Sequence, residues 1–208
     1  MPLIDLNGVN TGKIALWHIT EDESFLADQL KPVSCPGEII SPQKRVEWLS
    51  GRLLIRYLTD AMGLTYQGIV KDRFGKPFLK NLDHHISLSH SYPYVAAQIH
   101  PSHSVGIDIE QPKEKLLRVA PRILNAVELE NAGSDITKHC IYWSAKEALY
   151  KIYGKRGLLF TNNLSIEPFD LEETGYLKGC IKTEDNSMLA ELQYIVHKDY
   201  VLVYSKTD

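Results

Sequence analysis

Val105-Gly106-Ile107-Asp108-Ile109-Glu110 is the pivot of this sequence, a strand with an acidic end set between two blocks of similar element order. Val and Ile favour a pleated strand, and side chains on a strand alternate between its two faces. Ile107 and Ile109 are then expected to face one way, into a core, with Asp108 and Glu110 sharing the opposite face at the strand's end. Two neighbouring carboxylates repel each other, and a hard divalent cation relieves that repulsion. Mg²⁺ takes oxygen ligands from a few carboxylates, waters and substrate phosphates. An edge strand with a solvated acidic face would show the same hexapeptide, which leaves both readings open.

On the N-terminal side, a short tail precedes a strand from Lys13 to Ile19. Thr20 to Glu23 has capping-box spacing ahead of a short helix that ends near Leu30. Residues 31–41 read as a loop. Ser41-Pro42 then supplies an N-cap and a first-turn proline, Val46, Leu49, Leu53 and Tyr57 recur at helical spacing, and Gly63 is the stop, which predicts a helix over about 42–62. Strands are expected around Ile69-Val70, Ile86 to Leu88, Tyr94 to Ile99 and Val105 to Glu110, parted by turn signals at Gly75, Pro77, Pro93 and Pro101. On the C-terminal side a helical region is expected over about 113–131 and a longer helix from Asp135 to Tyr153, stopped by Gly154. Strands near 164–169, 176–182, 189–196 and 200–205 follow. The order strand, helix, strands occurs twice, which predicts an α+β chain of two similar halves, 1–104 and 105–208.

Composition narrows the class. With 208 residues, 44% hydrophobic and 24% charged, the chain can bury a sizeable core, and collagen, coiled coil and wholesale disorder are excluded. The formal charge of −3 gives no global basic field for nucleic acid or an anionic membrane, so an anionic ligand must meet a local cluster. Cys35, Cys140 and Cys180 lack the paired spacing of a zinc or redox site, and reduced thiols in the cytoplasm are expected. The first residues, Met-Pro-Leu-Ile-Asp, carry an acid where a secretory signal carries bases, and no apolar run approaches the ~18 residues of a membrane span.

Further chemistry gathers at three places. In Trp143-Ser144-Ala145-Lys146-Glu147-Ala148-Leu149-Tyr150-Lys151, the residues Trp143, Glu147 and Lys151 are spaced by four and form one helical stripe. Glu147 with Lys151 could be an ordinary surface ion pair. It equally supplies a third carboxylate with a lysine one turn away, which suits a metal site handling phosphate. In Lys71-Asp72-Arg73-Phe74-Gly75-Lys76-Pro77, Gly75 permits a tight turn and Pro77 biases Lys76 toward an extended backbone that aims its ammonium. Ile86-Ser87-Leu88-Ser89-His90-Ser91 runs a strand into hydroxyls and an imidazole able to donate to phosphate. His84 and His85 lack the helical spacing or cysteine partners of a zinc site. Lys44, Arg45, Arg52 and Arg56 add basic groups on the first long helix, where a solvated face is the ordinary expectation.

Together and in this order, Gly-Lys-Pro at 75–77, Ser-Leu-Ser-His-Ser at 87–91, Gly-Ile-Asp-Ile-Glu at 106–110 and Trp-Ser-Ala-Lys-Glu-Ala-Leu-Tyr-Lys at 143–151 resemble the Sfp-type 4′-phosphopantetheinyl transferases. The resemblance implies a pseudo-dimer of two α+β halves with coenzyme A in the cleft between them, the first half forming the coenzyme A side and the second carrying the metal and catalytic motifs. It implies transfer of the phosphopantetheine arm of coenzyme A to a serine of an apo acyl or peptidyl carrier protein, with release of adenosine 3′,5′-bisphosphate. Asp108, Glu110 and Glu147 would hold Mg²⁺, Lys151 would neutralise phosphate charge, and Glu147 or a water on the metal would accept the serine proton. Lys76, Ser89 and His90 match positions that touch coenzyme A, and Arg45 and Arg52 match basic positions near its 3′-phosphate. The chain departs from the family at Ile123-Leu124, where a Phe-Phe pair is common and the carrier protein is expected to lie. A monomer acting without nucleic acid or membrane is expected. Two other classes fit the same carboxylates: a Mg²⁺-dependent nucleotide pyrophosphate hydrolase and a non-catalytic nucleotide-binding protein.

Overall fold

Two hydrophobic cores organise the chain, one in each of the units Met1–His103 and Ser104–Asp208 of the computed structural model, an α+β architecture in two halves. The structure describes residues 3–5 and 12–206.

In the first unit, β1 (Leu3–Asp5), β2 (Lys13–His18), β3 (Ile69–Lys71), β4 (Pro77–Leu79), β5 (His85–Ser91) and β6 (Tyr94–His100) form a six-stranded antiparallel sheet in the order β1-β2-β6-β5-β4-β3. Two helices, α1 (Glu23–Leu30) and α2 (Pro42–Ala61), supply its core partners. Leu49, Leu54 and Leu58 of α2 pack with Trp17, Ile86, Val95 and Ile99 of the strands. Gly51 sits mid-helix because α2 presses on β5 there; a Cβ would lie 2.8 Å from Leu88 Cδ2.

Three sequence expectations change here. The region before Lys13 holds a strand, Leu3–Asp5, paired with Ala15–Trp17, while residues 1–2 and 6–11 lie outside the described residues. The first helix begins two residues later than the Thr20–Glu23 capping box predicts: Asp22 is the N-cap and accepts from Phe25 N at 2.8 Å, while the Glu23 carboxylate is held by Arg45 Nε at 2.6 Å. The three residues of β4 extend the turn around Gly75 into a hairpin with β3.

In the second unit, β7 (Ile107–Glu110), β8 (Leu164–Ile166), β9 (Thr174–Lys182), β10 (Ser187–His197) and β11 (Tyr200–Ser205) form a five-stranded antiparallel sheet in the order β7-β11-β10-β9-β8. Pro168 ends the pairing of β8 earlier than expected, since proline offers no N–H to a ladder. The expected helical region over 113–131 is broken into α3 (Lys115–Val119), a 3-10 turn at Ala120–Arg122 and α4 (Ala126–Ala132). Pro121 interrupts the first piece, and Asn125 with Glu128 caps the next in a reciprocal capping box.

The long helix α5 (Ile136–Tyr153) is capped by Asp135, whose side chain accepts from Lys138 N at 3.0 Å, and is stopped by Gly154 in the left-handed region at φ 69°. None of its residues is exposed. Cys140, Ile141, Tyr142, Ala145, Ala148, Leu149 and Ile152 are buried, so the helix is enclosed all round. A short helix, α6 (Phe160–Asn163), leads into β8.

The side chains of β7 alternate as the sequence predicts, and both faces carry buried side chains. Asp108 and Glu110 are register partners of Val203 and Val201, which belong to the core that includes α5. Directly opposed residues on antiparallel strands share a face, so the acidic face of β7, rather than its isoleucine face, turns toward α5. Ile107 and Ile109 lie on the other face, also buried, with Leu202 and Tyr204.

Candidate active site

β7 and α5 come together because Gly106 places no side chain between them. A Cβ at that position would collide with the Ala148 carbonyl and stand 2.9 Å from Ile152 Cγ1. Ser104 Oγ donates to Ile152 O at 2.6 Å and ties the approaching chain to the last turn of α5.

Lys151 then reaches the strand. Its Nζ donates to Ile107 O at 2.7 Å and to Asp108 Oδ1 at 2.8 Å, with Asp108 only 6% exposed. The lysine therefore bridges two elements, α5 and β7. Glu147, one turn back and half-buried, is pushed above the usual carboxylate range by burial first, then by the charges of Asp108 and Glu110, with Lys151 opposing. Glu110 accepts from Gln111 N at 2.9 Å and faces Lys115 at 3.7 Å. Trp143, the remaining member of the stripe, is partly buried against the core and lines a small recess with Leu116, Ala120, Ile123, Leu124 and His139.

The donor chemistry fits a hard divalent cation, since the donors are all carboxylate oxygens, and burial, with the like charges of Asp108 and Glu110 adding to it, makes the charge of Glu147 costly without one. Among the described residues no three His, Cys, Asp or Glu side chains stand at metal-ligand spacing.

Sequence reasoning passed over Lys146 and Glu128. Both are fully buried and pair at 2.6 Å; Lys146 also donates to Ile123 O at 2.9 Å and Phe160 O at 3.0 Å. Glu128 accepts in turn from Asn125 N at 2.8 Å and Ile166 N at 2.9 Å. Every donor and acceptor that burial would penalise is met, so this knot fixes α4, α6 and β8 against α5 directly behind Glu147. Asn125-x-x-Glu128 was a readable signal, and Lys146 falls at helical spacing with Tyr142 and Leu149 on an apolar side.

In the first unit the expected basic residues fall into separate groups. Arg45 donates to Glu23 and to Ile39 O at 3.2 Å, and the Glu23 bond holds its guanidinium charged. Arg52 lies over the Trp48 ring, 3.4 Å from its centroid, and burial makes its charge harder to keep. Both arginines act on the Cys35 thiol, which burial raises. Lys76 belongs elsewhere, in the turn whose amides at Phe74 and Lys76 bond Asp72 Oδ1 at 2.9 Å. Burial lowers its ammonium and its charge bears on His85. Ser89 is buried on β5, and beside it His90 Nδ1 stands 3.3 Å from Glu47, a buried carboxylate that also holds Lys44 and Gln43.

Residues 104–205, nearly the whole of the second unit, match the family model of the 4′-phosphopantetheinyl transferase superfamily. No curated protein matches the chain. All three cysteines are free thiols, and among the described residues no helix is long and apolar enough to cross a membrane.

Proposed function

We propose that this protein is an Sfp-type transferase that moves the 4′-phosphopantetheine arm of coenzyme A to a serine hydroxyl of an apo acyl or peptidyl carrier protein, in the cytoplasm. The observation that carries this reading is the bridge from Lys151 to Asp108, with Glu147 crowded beside it, inside the segment that matches the superfamily.

Held by Asp108, Glu110 and Glu147, Mg²⁺ would supply positive charge against the coenzyme A pyrophosphate. The serine oxygen forms its bond to the phosphorus of the phosphopantetheine arm as that phosphorus loses its bond to the bridging oxygen, and adenosine 3′,5′-bisphosphate leaves. Glu147 would take the serine proton as general base. Lys151, positioned by Ile107 O and Asp108, meets the charge that develops on phosphate. Residues 1–104 supply the grip on the nucleotide through Lys76, Ser89 and His90, with Arg45 and Arg52 at the 3′-phosphate.

The test is intact-mass measurement of several apo carrier proteins after incubation with coenzyme A, Mg²⁺ and this protein. A gain of one phosphopantetheine on the carrier, abolished by EDTA, is expected. Consumption of coenzyme A without any carrier protein would instead identify a pyrophosphate hydrolase, and an unmodified set of carriers with intact coenzyme A would remove the catalytic reading.

A further inference from the structure

His100 ends β6, is 1% exposed, and its Nδ1 accepts two backbone hydrogen bonds, from Ser102 N at 3.1 Å and His103 N at 2.9 Å. A ring nitrogen that accepts carries no proton, so the proton of this neutral ring sits on Nε2. The two amides belong to the turn that brings the chain to the end of the first unit at His103. Protonation would put an N–H at Nδ1, facing two other N–H groups, and neither bond could persist. We infer that His100 is an acid-released clasp: its neutral imidazole holds the turn 100–103 closed, and a proton on Nδ1 opens it.

The surroundings keep the ring neutral. His85 on β5 is its register partner across the sheet, and the His103 ring lies 4.8 Å away between centroids. His84 precedes His85, and the Nδ1 atoms of both are buried without a hydrogen-bond partner. Burial is the main force lowering the proton affinity of His100, and His103, His85 and His84 add to it. His85 is lowered by burial and Lys76, with His103 and His84 adding and Asp83 opposing. On the other flank, Lys13 of β2 is register partner of Ile99, and Gly12 backs the ring so closely that a Cβ would lie 2.9 Å from His100 Cδ2. With its folded affinity below that of the unfolded chain, His100 contributes stability that is whole above a pH of about 6.5 and is lost as pH falls toward the folded value.

Amide hydrogen exchange of Ser102 and His103, read as protection factors from pH 7 to pH 5, tests the clasp. In the parent, both are expected to lose up to about tenfold protection per pH unit once His100 titrates, while the amides paired between β5 and β6 stay protected. In His100→Asn, Oδ1 can stand where Nδ1 stood and takes no proton in this range, so protection of both amides should be flat. A flat profile in the parent, or a parental fall in the Asn variant, overturns the inference. If the Asn variant does not fold, the ring nitrogens of the parent decide. Nδ1 must be unprotonated at pH 7 and must titrate where the two amides open, and a different midpoint or a proton on Nδ1 at pH 7 sinks the clasp.

Discussion

Lys151 gives one ammonium proton to a backbone carbonyl and another to Asp108, and that arrangement separates it from an ordinary helix-surface lysine. If it mattered only as an exposed pair with Glu147, removing it would cost about 0.3–0.5 kcal/mol and leave turnover alone. Lys151→Met keeps the length and loses the charge, so kcat should fall about 10²-fold or more on a competent carrier protein while coenzyme A affinity changes less. A parental kcat in a folded variant would return Lys151 to a structural role. Glu147 makes a sharper case, because burial and two neighbouring carboxylates crowd its charge. Glu147→Gln should melt at a higher temperature than the parent in EDTA and yet lose about 10²-fold or more in kcat. Added Mg²⁺ should raise the melting temperature of the parent and do less for the variant. A variant that melts lower in EDTA would show that Glu147 makes a stabilising contact that outweighs the crowding.

The elements set these side chains by contact rather than by local propensity. Gly106→Ala inserts a methyl where the Ala148 carbonyl already stands, so β7 and α5 must part. A loss of about 1–3 kcal/mol in denaturant unfolding is expected, together with a fall in kcat because Lys151 loses its reach to Asp108. Unchanged stability would mean that α5 can shift freely. Behind the helix, Lys146→Met leaves Glu128 as a buried, unpaired charge and should cost about 3–5 kcal/mol. Adding Glu128→Gln should recover part of that loss, and no recovery would show that the lost lysine bonds to Ile123 and Phe160 dominate. Much of this scaffold is legible in the sequence. α5 is announced by Asp135 and Gly154, and α2 by Ser41-Pro42 and its apolar spacing. The orientation of β7 is not, because period two assigns residues to faces without saying which face meets a helix, and the valines of β11 that decide it are some ninety residues away in sequence. The Asp22 cap was hidden for a related reason: Thr20 and Asp22 both suit a cap, while Glu23, which the capping box would use, is held by Arg45 on another helix.

Across the whole chain the charges are unevenly shared in role. The net charge of −3 conceals basic groups in the first unit and the carboxylates Asp108, Glu110 and Glu147 in the second. On the proposed function, Arg52→Ala and Lys76→Ala should each raise KM for coenzyme A more than they lower kcat, since they would meet parts of the ligand whose charge changes little in the reaction. Arg52→Ala should also discriminate less than the parent between coenzyme A and its 3′-dephospho form, and equal discrimination would remove Arg52 from the 3′-phosphate. Trp48→Ala should mimic part of that loss, because the indole holds the guanidinium plane in place. The basic residues were readable by type, but their separation into an arginine pair near Cys35 and a lysine near His85 depends on tertiary contacts. α5 carries one more consequence. A helix with no exposed residue offers no neutral ground to genetic drift. Between Cys140 and Ile152 its less buried positions at Glu147 and Lys151 are the ones chemistry would claim, and the rest are buried or packed against the core. Random substitution along this helix should therefore yield two classes of clone, misfolded or folded but inactive, with few silent changes between them.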